Sequence, residues 1–325
     1  MVQKEFNKHV YAAIEVNGRT LTLENLTINA GSSYHALRVT NRGKVYLKDF
    51  ILNGRNYGIR VLNNSIITLN NTTVNTDGST GRDASNNCKA TICGSGIVAS
   101  ANSSLILKSG NTLNFASSND GDSGLIVFGN TSVSLQGKNN TINNLGVYLN
   151  TSFEQIKRSA DSSNNRINGN LEVCAGSSMS LSGIDANAIL VTSKKIDIDG
   201  NSSFEVDTWD DNNNIVNSVV IQPPQGETGQ IQVESNSNLD FEVGGTIVMN
   251  VQLNNSSHMY TGSNTVIDGD LFVSTYSSYF AENSNIVVDP GTFNKSVSGG
   301  ITCYNSQATD IDNSNSIYRS ICPTN

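Results

Sequence analysis

One spacing constrains this chain more than any other feature: an apolar pair, five polar residues, then a second apolar pair. In Gly58–Asn75 (GIRVLNNSIITLNNTTVN) it falls on Ile59, Val61, Ile67 and Leu69. The same frame returns at Leu37, Val39, Val45, Leu47; Ile97, Ala99, Leu105, Leu107; Leu125, Val127, Val133, Leu135; and Leu171, Val173, Met179, Leu181. Later copies are Ile196, Ile198, Phe204, Val206; Ile231, Val233, Leu239, Phe241; Val251, Leu253, Met259, Thr261; and Leu271, Val273, Tyr279, Ala281. A copy one residue short sits at Ile14, Val16, Leu21, Leu23. A hairpin shows such a pattern once or twice, whereas a repeat architecture keeps one register along the chain.

Each copy is two short alternating strands joined by a corner, followed by a third apolar piece such as Thr73–Val74. Steps are 23 residues from Ile14 to Leu37, 22 from Leu37 to Ile59 and 20 from Val251 to Leu271. Alternation puts one strand face in a core and the other in water, which a helix-covered parallel sheet would not show. Three-strand coils of this length predict an all-β fold, a single right-handed parallel β-helix of roughly a dozen coils on the order of 55 Å long. The chain holds 47 Asn and four Pro. Asn tolerates left-handed corners and pairs its amide up a ladder, while Pro removes a ladder donor. TSFEQIKRS, 151–159, is the best helical candidate and reads equally as loose coil.

The predicted organisation is a β-helix over 1–302 and a C-terminal capping flap over 303–325. The cysteines are at 88, 93, 174, 303 and 322. Bridges Cys88–Cys93 and Cys303–Cys322, with Cys174 free, are expected from their short loops and from an oxidising, extracellular setting. The start, MVQKEFNKHV, is polar and the chain has no run of 18 apolar residues, so neither a signal peptide nor membrane insertion is predicted. Coil one begins almost at once. An upstream part of a longer protein is therefore expected to supply a cap, an attachment domain or a homotrimer seam.

Net charge is −8. Bases concentrate in residues 1–60, and carboxylates dominate 161–270, where Arg166, Lys194 and Lys195 are the bases. An acidic rod without a basic, aromatic stripe argues against nucleic acid. The sequons, Asn25 and Asn130 among them, are what this Asn, Ser and Thr content produces by chance.

Longer gaps separate some copies: 76–95, 118–124, 159–169 and 207–229. The frame predicts that each follows a third strand and precedes the next first strand, so that they emerge on one flank and build a binding face. Asp207, Trp209, Asp210 and Asp211 in VDTWDDNNN, with Tyr276 in a corner, are the candidate ligand-binding residues. An aromatic ring stacks on a sugar while carboxylates take its hydroxyls. The carboxylates also suit Ca²⁺, but their spacing is not that of an EF-hand loop, so no cofactor is expected.

Asn75–Gly78, NTDG, resembles the first catalytic motif of polygalacturonases, which also need an Asp pair about one coil on, Gly-His-Gly and Arg-x-Lys. One coil on, the chain reads IVASAN, and His9, His35 and His258 are isolated. Pectate-lyase-type elimination needs a base facing an acidic Ca²⁺ cleft, and the acidic middle is poor in bases. Catalytic residues are therefore assigned to none.

Over residues 12–300 the coil frame and the Asn/Ser/Gly corners resemble the pectate-lyase-like β-helix superfamily as used in phage tailspikes, tail fibres and bacterial surface adhesins. The resemblance implies a non-enzymatic, extracellular host-recognition adhesin. It would be the receptor-binding tip of a longer fibre, with a cell-surface glycan or receptor as partner. The alternatives are a polysaccharide depolymerase of the same fold and a structural spacer.

Overall fold

The computed structural model describes residues 12–30, 35–54, 57–76, 95–115, 123–155, 164–182, 189–207, 219–263, 265–274, 276–282, 285–287, 294–295, 300–304 and 307–308. Strands, turns and bends make up these residues, and every strand pairing is parallel. The chain is a parallel β-solenoid. A right-handed wind is what parallel strands joined by such crossovers adopt.

The frame is the register. On the first face Ile14 pairs with Leu37, Leu37 with Ile59, Ile59 with Ile97 and Ile97 with Leu125. The column continues through Leu145, Leu171, Ile196, Ile231, Val251 and Leu271. The second face stacks Val45, Ile67, Leu105, Val133, Phe153, Met179, Phe204, Leu239, Met259 and Tyr279 in the same way. The third face carries Ile28, Leu52, Val74, Leu113, Ile142, Ile167, Val191, Ile221, Ile247 and Ile267. These columns form one dry core along the axis.

One coil escapes the sequence frame. Leu145, Val147, Phe153 and Gln155 stack in register between the coils of Leu125 and Leu171. Its fourth position is Gln155, a polar residue that breaks the apolar signature although it too is buried. TSFEQIKRS, read from the sequence as helix or loose coil, is neither in its described part. Ser152–Gln155 is a second-face strand, fixed by ladders on both sides, and residues 156–159 lie outside the described residues.

The five-residue corner explains the Asn content. Its second and third residues are left-handed in coil after coil: Asn41–Arg42, Asn63–Asn64, Ala101–Asn102, Gly129–Asn130, Leu149–Asn150, Gly200–Asn201 and Ser235–Asn236. Asn and Gly enter that region most cheaply. The residue two before the next apolar position turns its hydroxyl or amide inward, and Ser65, Ser103, Thr131, Thr151, Ser177, Ser202, Ser237, Ser257 and Ser277 are all buried there. The hydroxyls of Ser177, Ser202 and Ser237 accept from the backbone of the preceding coil: Thr151 N–H to Ser177 Oγ (3.3 Å), Ser177 N–H to Ser202 Oγ (3.2 Å) and Ser202 N–H to Ser237 Oγ (3.1 Å).

Two Asn ladders run beside the third face. One is outward: Asn53 donates to Asn29 (2.8 Å), Asn75 to Asn53 (2.9 Å), Asn114 to Asn75 (2.9 Å), Asn143 to Asn114 (2.6 Å) and Asn168 to Asn143 (3.1 Å). The other is buried. The side chain of Asn111 donates to Asn140 (2.8 Å), and that of Asn140 donates to Asn165 (3.0 Å). The backbone N–H of Asn111 also depends on Asn140 Oδ1, at 3.1 Å. Close approach decides Gly58, Gly96 and Gly124, since a Cβ on each would lie 2.4 Å from a backbone carbonyl oxygen of the next coil.

Past the proposed boundary at 302 the ladder persists, with Gly300–Tyr304 on the coil of Ser278–Glu282 and Gln307–Ala308 on Asn285–Val287. Residues 309–325, including Cys322, lie outside the described residues, as do Cys88 and Cys93, so neither expected bridge falls within them. Cys174 carries a free thiol. Among the described residues no helix is long and apolar enough to cross a membrane.

Two substitutions measure these constraints. Val61 is fully buried, so Val61→Asp places an unpaired charge in the dry core and is expected to cost on the order of 4 kcal/mol or more in chemical denaturation. Asn140→Leu orphans the buried Asn111 N–H and is expected to cost about 2–4 kcal/mol, whereas Asn53→Ser on the outward ladder stays within about 1 kcal/mol. Equal losses for the two Asn variants would show that the buried ladder is no stronger a constraint than the outward one.

Candidate functional site

Outward positions are free of the core, and the first face sorts them by chemistry. In ladder order the column between the two apolar positions reads Glu15, Arg38, Arg60, Val98, Ile126, Gly146, Glu172, Asp197, Gln232, Gln252 and Phe272. The neighbouring column carries Phe128, Tyr148, Cys174 and Asp199. The face thus runs from basic through apolar to acidic and amide-rich. Tyr57, Val98 and Ile126 form a second, smaller apolar cluster outside the core, with Phe128 and Tyr148 against it.

Where the acidic and amide positions meet, a groove of about 280 Å³ opens, lined by Glu172, Cys174, Lys195, Asp197, Ile198, Asp199, Gln232 and Glu234. Three adjacent coils supply it. At one end the Tyr148 hydroxyl donates to Glu172 Oε2. At the other, Gln232 donates to Glu234 Oε1 at 2.5 Å and Asn254 donates to the same oxygen at 3.1 Å. Lys195 Nζ meets Asp197 Oδ2 at 2.6 Å, and Asp199 Oδ1 accepts the Gly200 N–H at 2.7 Å. The remaining carboxylate lone pairs line the groove as acceptors.

The groove holds two protons tightly. Burial, then the hydrogen bond and charge of Glu172, push the Tyr148 hydroxyl far above its ordinary value. Burial, then the charges of Glu172, Asp199 and Asp197, push the Cys174 thiol up to about 12. A thiol held protonated is a poor nucleophile, so Cys174 offers bulk and a weak donor, not covalent chemistry. The arrangement is an acceptor-rich surface suited to hydroxyl and amine donors. Among the described residues, no group of three or more His, Cys, Asp and Glu side chains is placed to hold a metal ion.

The second face carries another outward cluster. Asp240, Tyr260 and Phe280 stack in register, with the Tyr260 and Phe280 rings 5.6 Å apart and 10° from parallel. The Tyr260 hydroxyl donates to Glu282 Oε2 at 2.9 Å; burial, then Glu282, push it up to about 12. Burial, then Glu242, raise Asp240, with His258 opposing. The sequence carries the signal, because Tyr260 and Phe280 fill the same outward slot in successive copies.

Of the predicted ligand set, Asp207 and Tyr276 fall within the described residues, and these two lie apart. Asp207 ends the strand Ser203–Asp207, while Tyr276 is 74% exposed in a left-handed corner before the strand Ser278–Glu282. These strands are linked through 238–243 and 258–263, three ladder steps, and the two residues sit at opposite ends of the second face. Trp209, Asp210 and Asp211 lie outside the described residues.

The single-flank expectation for the insertions is also corrected. Segments 77–94 and 116–122 join a third-face strand to the next first-face strand, as expected. Segments 156–163 and 208–218 instead join a second-face strand to a third-face strand. The frame misplaced them because its second half ends before the third strand, so length inserted on either side of that strand looks alike.

Comparison of the chain with protein-family models, with curated proteins and with solved structures finds no match.

The protonated state of Cys174 is directly testable. Peptide-resolved alkylation with iodoacetamide at pH 8.5 is expected to label Cys174 on the order of a hundredfold more slowly in the folded chain than in the unfolded chain, with the gap closing only as pH nears 12. Fast labelling at pH 8.5 would mean that burial and the neighbouring carboxylates do not hold the proton.

Proposed function

We propose that this chain is a non-enzymatic recognition rod that binds a polyhydroxylated ligand, a surface glycan, through the groove on its first face. The observation that carries the reading is the convergence of Glu172, Asp197, Asp199, Gln232 and Glu234 from adjacent coils on one cavity. Carboxylate and amide acceptors fixed on a ladder recur about every 4.8 Å and suit the hydroxyl donors of a saccharide. Rigid strands hold them, so little order is lost on binding. The outward Tyr260–Phe280 stack offers a ring surface for a sugar face on the neighbouring side of the rod.

The β-helix resemblance to the pectate-lyase-like superfamily extends this to an extracellular adhesin, the receptor-binding tip of a longer and homotrimeric fibre. The two outcomes that compete with it are cleavage of the glycan by the same surface and no binding at all, as for a spacer.

A glycan array followed by assays for new reducing ends and unsaturated products separates the three. Binding without product is expected. Asp197→Asn and Glu234→Gln are each expected to weaken binding by about 1–3 kcal/mol with little change in melting temperature. If those variants bind normally while Trp209→Ala or Tyr276→Ala does not, the ligand sits on the loops and not in the groove. Product formation would make the chain a depolymerase.

A further inference from the structure

The basic end of the first face holds a charge that the described residues do not balance. Arg38 and Arg60 are direct ladder partners on neighbouring coils. Like charges placed opposite each other across a ladder repel. Arg38 has an answer, since its Nη1 lies 2.7 Å from Glu15 Oε1. Arg60 has no carboxylate among the described residues within ion-pair reach. Its next ladder neighbour is the apolar Val98, and its Nη1 lies 3.5 Å from His35 Nε2, a long contact to an imidazole. Arg60 Nε is buried without an acceptor.

The surroundings sharpen the imbalance. His35 is 1% exposed and its ring packs on Tyr57, centroids 5.1 Å apart. Burial, then Arg60 and Arg38, push the imidazole down to about 3, so it stays neutral at physiological pH and adds no charge of its own. A half-buried guanidinium beside a neutral ring and an apolar strand sits in a medium of reduced dielectric, where an oxyanion gains more than it does in bulk water. Guanidinium also presents paired donors that match two oxygens of one anion.

We propose that Arg60, supported by Arg38, forms an oxyanion-binding site at the basic end of the first face, taking a carboxylate, sulfate or phosphate group of a ligand. It stands four ladder steps from Glu172, roughly 19 Å along the rod, and does not rest on the groove. An anion there offsets the Arg38–Arg60 repulsion and the two positive charges that add to burial in keeping His35 neutral. His35 is thus a built-in reporter.

The test uses the full chain and three probes (inorganic phosphate, inorganic sulfate and glucuronate), with glucose and matched chloride as controls. Histidine ring signals are followed by NMR, His35 being assigned by its loss in His35→Gln. Saturable shifts of His35 with a rise in its titration midpoint are expected, while His258 does not follow. Arg60→Gln is expected to weaken probe binding at least about tenfold and Arg60→Lys to keep part of it, both with unchanged melting curves. Preference for glucuronate over phosphate and sulfate points to an acidic sugar, and the reverse to an ester group. Three results would overturn the proposal: a response equal to that of chloride, no saturable response, or binding that survives Arg60→Gln. Failure here leaves the groove untouched, because Arg60 lines no part of it.

Discussion

Every coil is bound to the next by an in-register parallel ladder, and that ladder constrains everything else in this molecule. Backbone N–H groups of one coil bond carbonyls of its neighbours, at the corners as well as in the strands: Asn64 N–H to Ala101 O, Asn102 N–H to Gly129 O and Asn150 N–H to Ala175 O, all within 3.0–3.1 Å. A side-chain period of two then leaves no freedom. A slip of one residue would turn Ile59 and Val61 outward and bring Arg60 into the core. The apolar columns do not merely fill the rod; they lock its register.

The polar corners are the second consequence. A coil that turns sharply and still passes backbone bonds up and down needs left-handed residues at fixed places, and this chain puts them in the same two slots in coil after coil. Where Asn or Gly is absent, as at Arg42, Ala101, Leu149 and Ala175, the ladder overrides a local preference worth about 1–2 kcal/mol. Asn also contributes to cohesion. The buried Asn111–Asn140–Asn165 run satisfies amides that would otherwise be costly to bury, whereas the outward run from Asn29 to Asn168 competes with water for the same bonds.

Function is left to the positions the ladder does not use. Outward slots vary from Arg38 and Arg60 to Glu172, Asp197 and Gln232 without disturbing a single inward contact, so a charge pattern can be written along the rod at little cost in stability. The stacking fixes where each charge stands, which gives the groove and the proposed oxyanion site their rigidity. Their separation along one face would let an extended ligand be read at two points of opposite polarity.

Much of the fold was legible in sequence because apolar spacing is a local property. Ile59, Val61, Ile67 and Leu69 announce their coil without reference to any other, and the class of fold follows from repetition. The coil of Leu145 to Gln155 was hidden because a buried polar residue at one slot can be satisfied only by its surroundings, which sequence does not display. The sites were less legible for a related reason. Trp209, Asp210 and Asp211 are neighbours in the chain, which a sequence displays directly. Glu172, Asp197 and Glu234, like Tyr260 and Phe280, become neighbours only through stacking. By itself the sequence determined the strand period, the corner chemistry and the register. Which outward residues share a face, and at which corner each insertion leaves, the tertiary structure decided, because a coil of variable length sets that adjacency through its ladder partners and not through its position in the chain.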